Sequence, residues 1–304
     1  MTDDVMRLTL ARDRHRDDLR RLVRAGQLER VRLGSYGTPI RSDDFEAKRD
    51  RAVRRMVAVC DRLSTDFCLS HESGALLWQW PLVRIPSATH ITQGVNARAR
   101  GASDVVRHRL SLPTEDRDQR HGLPVTSRER TALDCARSFT PLAAVILLDA
   151  ALRDGVEREA LIHRLALMGG QRGIRLAREA LDLADPRSES PGESVTRFRI
   201  HQAGLPAPVP QVEVHTRLGL FRMDMAWPEL MVGLEYDGLV KYTRFAAGDP
   251  TAVVLAEKRR QEAIEQAGWR VVRINRADVR DAQSLRGILG PLLCAERAET
   301  GRLR

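Results

Sequence analysis

Two carboxylates stand one residue apart in GLEYDG, where Glu235 and Asp237 close what reads as a buried strand behind Met231-Val232. A third, Asp224, lies in FRMDMAW. Period-2 alternation turns it away from its neighbours Met223 and Met225. A fourth, Glu193, opens the helix ESVTRFRIHQ. Adjacent antiparallel strands bring such side chains within about 5 Å of each other. At that spacing carboxylates repel, and they need either raised pKa values or a cation. Magnesium takes oxygen ligands from one or two carboxylates, waters and substrate phosphates. Held this way it stabilises in-line attack on a phosphodiester and lowers the pKa of the attacking water. The expected metal ligands are Asp224, Glu235 and Asp237, with Glu193 completing the catalytic set. The plain alternative is that these groups serve salt bridges with Arg197, Arg199, Arg222 and Arg259.

Positioning them requires a helix from 193 to 203, strands at 211–216, 220–227 and 229–236, a helix from about 250 to 267 and the strand WRVVRI at 269–274. A helical tail covers 281–294. That order is an α/β domain. It follows ADPRSESPGES at 184–194, whose two prolines, glycine and three serines mark a domain boundary. This last third resembles the restriction-endonuclease-like superfamily, of PD-(D/E)XK type, in the branch of very-short-patch repair endonucleases and the DUF559 family. The resemblance spans about 188 to 280 and rests on ESVTRFRIHQAGLP, FRMDMAWPEL, GLEYDG and EKRRQEAIEQAGWRVVRI. It implies a magnesium-dependent DNA endonuclease, with Glu193, Asp224 and Glu235 at the acidic positions. The pattern's lysine is Asp237 here; Lys241 and Lys258 are candidates to supply that cation.

The chain of 304 residues carries 50 basic against 41 acidic side chains, a net charge of +9 that favours a polyanionic partner such as DNA. In RHRDDLRRLVRAG, Leu19, Leu22 and Val23 share one helical face while Arg20, Arg21 and Arg24 lie roughly opposite. Gly26 stops this helix, LERVRL alternates as a strand, and Gly34-Ser35-Tyr36-Gly37 turns it back. A helix followed by a two-stranded wing is the end of a winged helix, whose basic helix can enter a major groove. The alternative is an amphipathic helix with a solvated basic face. The residues expected to touch DNA are Arg16, Arg20, Arg21, Arg24, Arg32, Lys241, Lys258 and Arg259.

LRRLVRAGQLERVRLGSY is similar to the winged-helix start of AbiEi-type antitoxins, and TSRERTALDCARS fits that family's middle region. The family has two helices before the basic helix, whereas some 13 residues precede it here, so the winged helix is read as truncated. The resemblance implies an autoregulator of transcription that neutralises a cognate toxin protein. The fold class expected is therefore α+β with an α/β part: a winged-helix-like region at 1–42, a mixed, mostly helical middle at 43–186 and a restriction-endonuclease-like domain at 187–304. Two functions follow, a metal-dependent DNA endonuclease or a non-catalytic DNA-binding regulator with a degenerate nuclease fold.

Other motifs take structural readings. His71-Glu72-Ser73-Gly74 lacks a nucleophile-elbow context and reads as a helix start; His90, His108 and His121 lack metal-ligand spacing. GGQRG at 169–173 has no P-loop lysine and reads as a helical junction. Four scattered cysteines with no CxxC pair argue against zinc and fit a reducing cytoplasm. No stretch approaches the roughly 20 apolar residues of a membrane helix.

Overall fold

The computed structural model describes residues 3–94, 103–238 and 250–300. They fall into two compact units, Met1–Asp182 and Leu183–Arg304.

In the first unit, α1 (Asp3–Met6) and β1 (Thr9–Leu10) precede α2 (Arg16–Arg24), β2 (Glu29–Arg32) and β3 (Ser35–Gly37). The three strands form an antiparallel sheet in the order β1-β3-β2. Gly34 turns the hairpin at φ +79°, a conformation that favours glycine. α3 (Phe45–Arg62) starts where the Asp44 carboxylate accepts from Ala47 N at 2.8 Å. Arginines of α3 then brace the hairpin. Arg62 donates to Leu33 O at 2.6 Å, and the buried Arg54 donates to Thr38 O.

The middle of the chain combines helices with strands. It holds a five-stranded mixed sheet in the order β6-β5-β4-β8-β7. The strands are β4 (Cys68–Leu69), β5 (Thr89–Gln93), β6 (Val105–Arg109), β7 (Arg117–Arg120) and β8 (Leu123–Thr126). β4 has two residues, and β7 is polar throughout, RDQR, so neither carries a period-2 apolar pattern. The helices that follow α3 are α4 (His71–Leu77), α5 (Arg128–Ser138), α6 (Pro141–Arg153), α7 (Arg158–Leu167) and α8 (Ile174–Leu183). α6, PLAAVILLDAALR, is apolar on every side, and Ala144 through Leu152 are all buried. The junction before α8 depends on Gly173, which sits at φ +81° with its Cα hydrogens against the carbonyl of Arg137. Gly173→Ala combines left-handed strain of about 1–2 kcal/mol with a backbone clash, so a loss of about 2 kcal/mol or more is expected in urea unfolding. An unchanged midpoint would show that the junction is free to open.

In the second unit, α9 (Pro191–Gln202) leads to the sheet β12-β11-β10-β9. β9 (Val209–Thr216), β10 (Gly219–Trp227) and β11 (Val232–Asp237) are antiparallel neighbours. β11 and β12 (Arg270–Asn275) are parallel, joined through α10 (Pro250–Gln266). α11 (Ala282–Thr300) ends the described chain. Ile200 of α9 and Leu285, Leu289 and Leu293 of α11 pack with Met225, Trp227, Val232, Leu234 and Ile274 of the sheet. Ile264 of α10 packs with Val214, Met223 and Ala226 in a second cluster.

Candidate nucleic-acid interface and carboxylate cluster

α2 buries Leu19 and exposes Arg16, Arg20, Arg21 and Arg24. Asp17 and Asp18 occupy its first turn, where the helix dipole favours anions. Arg20 reaches Asp17 at 3.4 Å and Arg21 reaches Asp18 at 2.8 Å. Exposed pairs of this kind hold by less than about 1 kcal/mol, so they yield readily to phosphate. Among the described residues Arg16 and Arg24 have no carboxylate partner. The helix ends next to the hairpin, which adds the exposed Arg30 and, at its turn, Leu33.

Arg32, also expected to face DNA, is half-buried. Its guanidinium grips Asp104 through two hydrogen bonds of 2.8 and 3.2 Å. This pair holds the Asp104 carboxyl below its ordinary pKa, and bidentate geometry commits the guanidinium to bracing the hairpin. Lys258 and Arg259 are exposed on α10 in the second unit, with Lys258 3.9 Å from Glu262. Lys241 lies outside the described residues.

The four carboxylates belong to the second unit. Glu193 is buried and is engaged on both oxygens. Oε1 accepts from Ser190 Oγ at 2.7 Å; Oε2 accepts from Glu189 N and Gln211 Nε2, both at 2.9 Å. Ser190 Oγ in turn accepts from Glu193 N at 3.2 Å, so the residue serves as the reciprocal half of a helix cap. Asp224 has a different task. The β10–β11 ladder runs from Trp227↔Val232 to Met225↔Leu234, and Asp224 Oδ2 then accepts from Tyr236 N at 2.7 Å. The side chain satisfies a strand N–H where the backbone pairing stops. Glu235, also buried, meets Arg260 Nη2 at 2.7 Å and Arg273 Nε at 3.5 Å. Asp237 ends β11, half-buried, in register with Asn275.

Burial, with the Asp224 charge assisting, pushes the Glu193 and Glu235 carboxyls above their ordinary pKa. At Glu235, Arg260 and Arg273 pull the other way. Asp224 is thus near enough to both glutamates for its charge to be felt. Of the expected magnesium ligands, Glu235 is taken by two guanidinium groups, so its oxygens are not open to a metal ion, and Asp224 Oδ2 is taken by the Tyr236 N–H; Glu193, expected beside them, is spent on a helix cap. Among the described residues, no three or more His, Cys, Asp or Glu side chains are arranged to hold a metal ion.

The fold also assembles a group that sequence spacing passes over. His71 stacks on His108 with ring centroids 3.5 Å apart and planes 12° apart. His90 Nδ1 lies 3.1 Å from both His108 Nε2 and Glu72 Oε2. His71 Nδ1 is 3.1 Å from Ser70 Oγ, and its backbone sits at φ +50°. Burial lowers the pKa of all three rings, His71 to about 2 and His108 to about 4. The one local signal is the parity of β5 and β6. Thr92 is opposite His108 and His90 opposite Val106, which puts the two histidines on one face.

Residues 79–183 match the family described as AbiEi antitoxin C-terminal domain. Two curated proteins of Mycobacterium tuberculosis, Uncharacterized protein MT2308 of strain CDC 1551 / Oshkosh and Uncharacterized protein Rv2248 of strain ATCC 25618 / H37Rv, are each 36% identical over 161 residues. The aligned stretch covers 52% of this chain, and the chain spans only 57% of the length of these relatives. The crystal structure of the RV2827C protein from the same organism aligns over 67% of this chain and 78% of its own at 17% identity, with a TM-score of 0.38. Nothing in these matches supports the restriction-endonuclease-like resemblance of the last third. No helix among the described residues is long and apolar enough to cross a membrane. What the comparisons establish is an antitoxin-like domain in the middle of the chain, at residues 79–183.

Proposed function

We propose that the protein is a non-catalytic, DNA-binding regulator of the antitoxin type, acting with a cognate toxin protein. The observation that carries this reading is the antitoxin-domain match at 79–183. It lies downstream of a basic helix and hairpin that leave Arg16, Arg20, Arg21 and Arg24 exposed. In this reading α2 lies in the major groove and its guanidinium groups grip the flanking phosphates, which positions the protein without specifying bases. The hairpin follows the backbone alongside. The carboxylates of the second unit then have structural work and no phosphodiester to cut.

The test is DNA affinity as a function of salt, measured by fluorescence anisotropy on duplex from the protein's own upstream region. Replacing all four α2 arginines by alanine is expected to weaken binding across sequences and to lower the slope of log K against log salt by about 3–4. Arg32→Ala should leave that slope unchanged while loosening the hairpin. If the fourfold variant binds with the slope of the parent, α2 does not carry the contact. Co-expression with the product of a neighbouring toxin gene tests the partner: growth that is not restored removes the antitoxin part of the reading.

A further inference from the structure

We propose that Arg260 and Arg273 stand where a divalent cation would otherwise balance Glu235, making the end of β11 a closed, protein-neutralised site that takes up no magnesium. Each guanidinium covers a different oxygen of Glu235, Arg260 on Oε1 at 2.7 Å and Arg273 on Oε2 at 3.5 Å. Neither is a chance surface contact. Arg273 is the direct cross-strand partner of Glu235 in the parallel β11–β12 register. Arg260 also donates to Arg222 O at 3.1 Å, and its guanidinium lies 5.6 Å from the centre of the Phe221 ring. The ring and the carbonyl hold the cation in place independently of the carboxylate.

Glu257 completes the group. It meets Arg260 at 3.4 Å and also pairs with Arg273. Two glutamates and two arginines thus cancel within one network. Magnesium requires near-octahedral oxygen donors at about 2.0–2.1 Å. An ion brought to Glu235 would displace one guanidinium and sit beside the other. Glu193 offers no alternative, since its oxygens accept from Ser190, Glu189 and Gln211. The inference stands apart from the DNA-binding and toxin assignments: those can fail while this holds, and the reverse.

The experiment is performed on the full chain with manganese as a magnesium surrogate. Bound Mn²⁺ is read by electron paramagnetic resonance, and thermal midpoints are taken with and without millimolar Mg²⁺ or Mn²⁺. The parent protein is expected to bind no Mn²⁺ and to show no shift in midpoint. The variant Arg260→Met with Arg273→Met should unfold several degrees lower, because Glu235 is left buried and unpaired. Adding Glu235→Gln to it should recover part of that loss. Stoichiometric Mn²⁺ on the parent, with a rise in midpoint abolished by Glu235→Gln, overturns the proposal. So does an arginine variant whose loss Glu235→Gln fails to relieve, since the arginines would then not be balancing that carboxylate. Should the double arginine variant not fold, the manganese measurement on the parent and on Glu235→Gln still decides.

Discussion

Asp116→Ala is expected to remove about 3–5 kcal/mol from the stability of the first unit, the cost of breaking a buried ion pair from one side. Asp116 is 4% exposed and lies just before β7. Its Oδ2 accepts from Arg130 of α5 at 3.3 Å, and its Oδ1 is paired with Arg164 of α7. Arg130 also donates to the buried Asp134 at 2.9 Å. The carboxylate therefore ties two helices to the edge of the sheet. Its removal leaves Arg164 without this partner and halves the negative charge facing Arg130. Urea unfolding followed by a probe in this unit should show a lower midpoint with an unchanged slope, the mark of a stability loss without a change in exposed surface. Asp116→Asn keeps the shape and some hydrogen bonds and should cost less than Asp116→Ala. A loss below about 1 kcal/mol for the alanine variant would place the network in the class of solvent-screened surface pairs.

Acid is expected to destabilise the same unit well above the range where aspartates titrate. His71 and His108 are held neutral down to about 2 and about 4, chiefly by burial, and His90 is shifted the same way. In the unfolded chain each titrates near 6.5. Between those limits the unfolded state binds more protons, so stability is full above pH ~6.5 and falls as the pH drops towards 4. The slope is about 1.4 kcal/mol per pH unit for each histidine, and about 4 kcal/mol per unit if all three contribute. Protonating His108 at Nε2 would also turn a proton towards His90 Nδ1, 3.1 Å away. Arg130 and Arg137 oppose a charge on His71, whereas Glu72 favours one on His90. Carboxylates with lowered pKa, such as Asp104 and Asp66, lose their contribution only below about pH 3.9, outside this window. Burial raises the pKa of Asp134, so its contribution runs the other way, gaining as the pH falls. Urea midpoints taken from pH ~7.5 down to pH ~5 should decline, and His108→Gln should flatten the decline. A level profile, or one that His108→Gln leaves unchanged, would contradict the reading that the rings are held neutral.

The helices were legible because their signals are local. α3 (Phe45–Arg62) and α6 (Pro141–Arg153) each carry apolar spacing or a cap visible in the chain. β4 and β7 were not legible, because two residues, or four polar ones, become a strand only through the neighbours that hydrogen-bond to them. The carboxylates illustrate the same division. That Asp224 and Glu235 approach one another follows from strand parity and adjacency, which are readable in sequence. That Glu235 faces arginine follows from Arg260 arriving 25 residues later on a helix and Arg273 on the next parallel strand. Likewise, no spacing rule anticipates that His71, His90 and His108 converge, since the chirality and register of the sheet bring them together.

By itself the sequence determined the basic helix and its hairpin and the strand ends that carry acidic side chains, because periodicity, caps and breakers act over a few residues. The tertiary structure alone decided which charges meet. Whether a carboxylate takes up a cation, caps a helix or faces a guanidinium depends on the low-dielectric neighbourhood that distant segments build around it, and that neighbourhood exists only once the chain has folded.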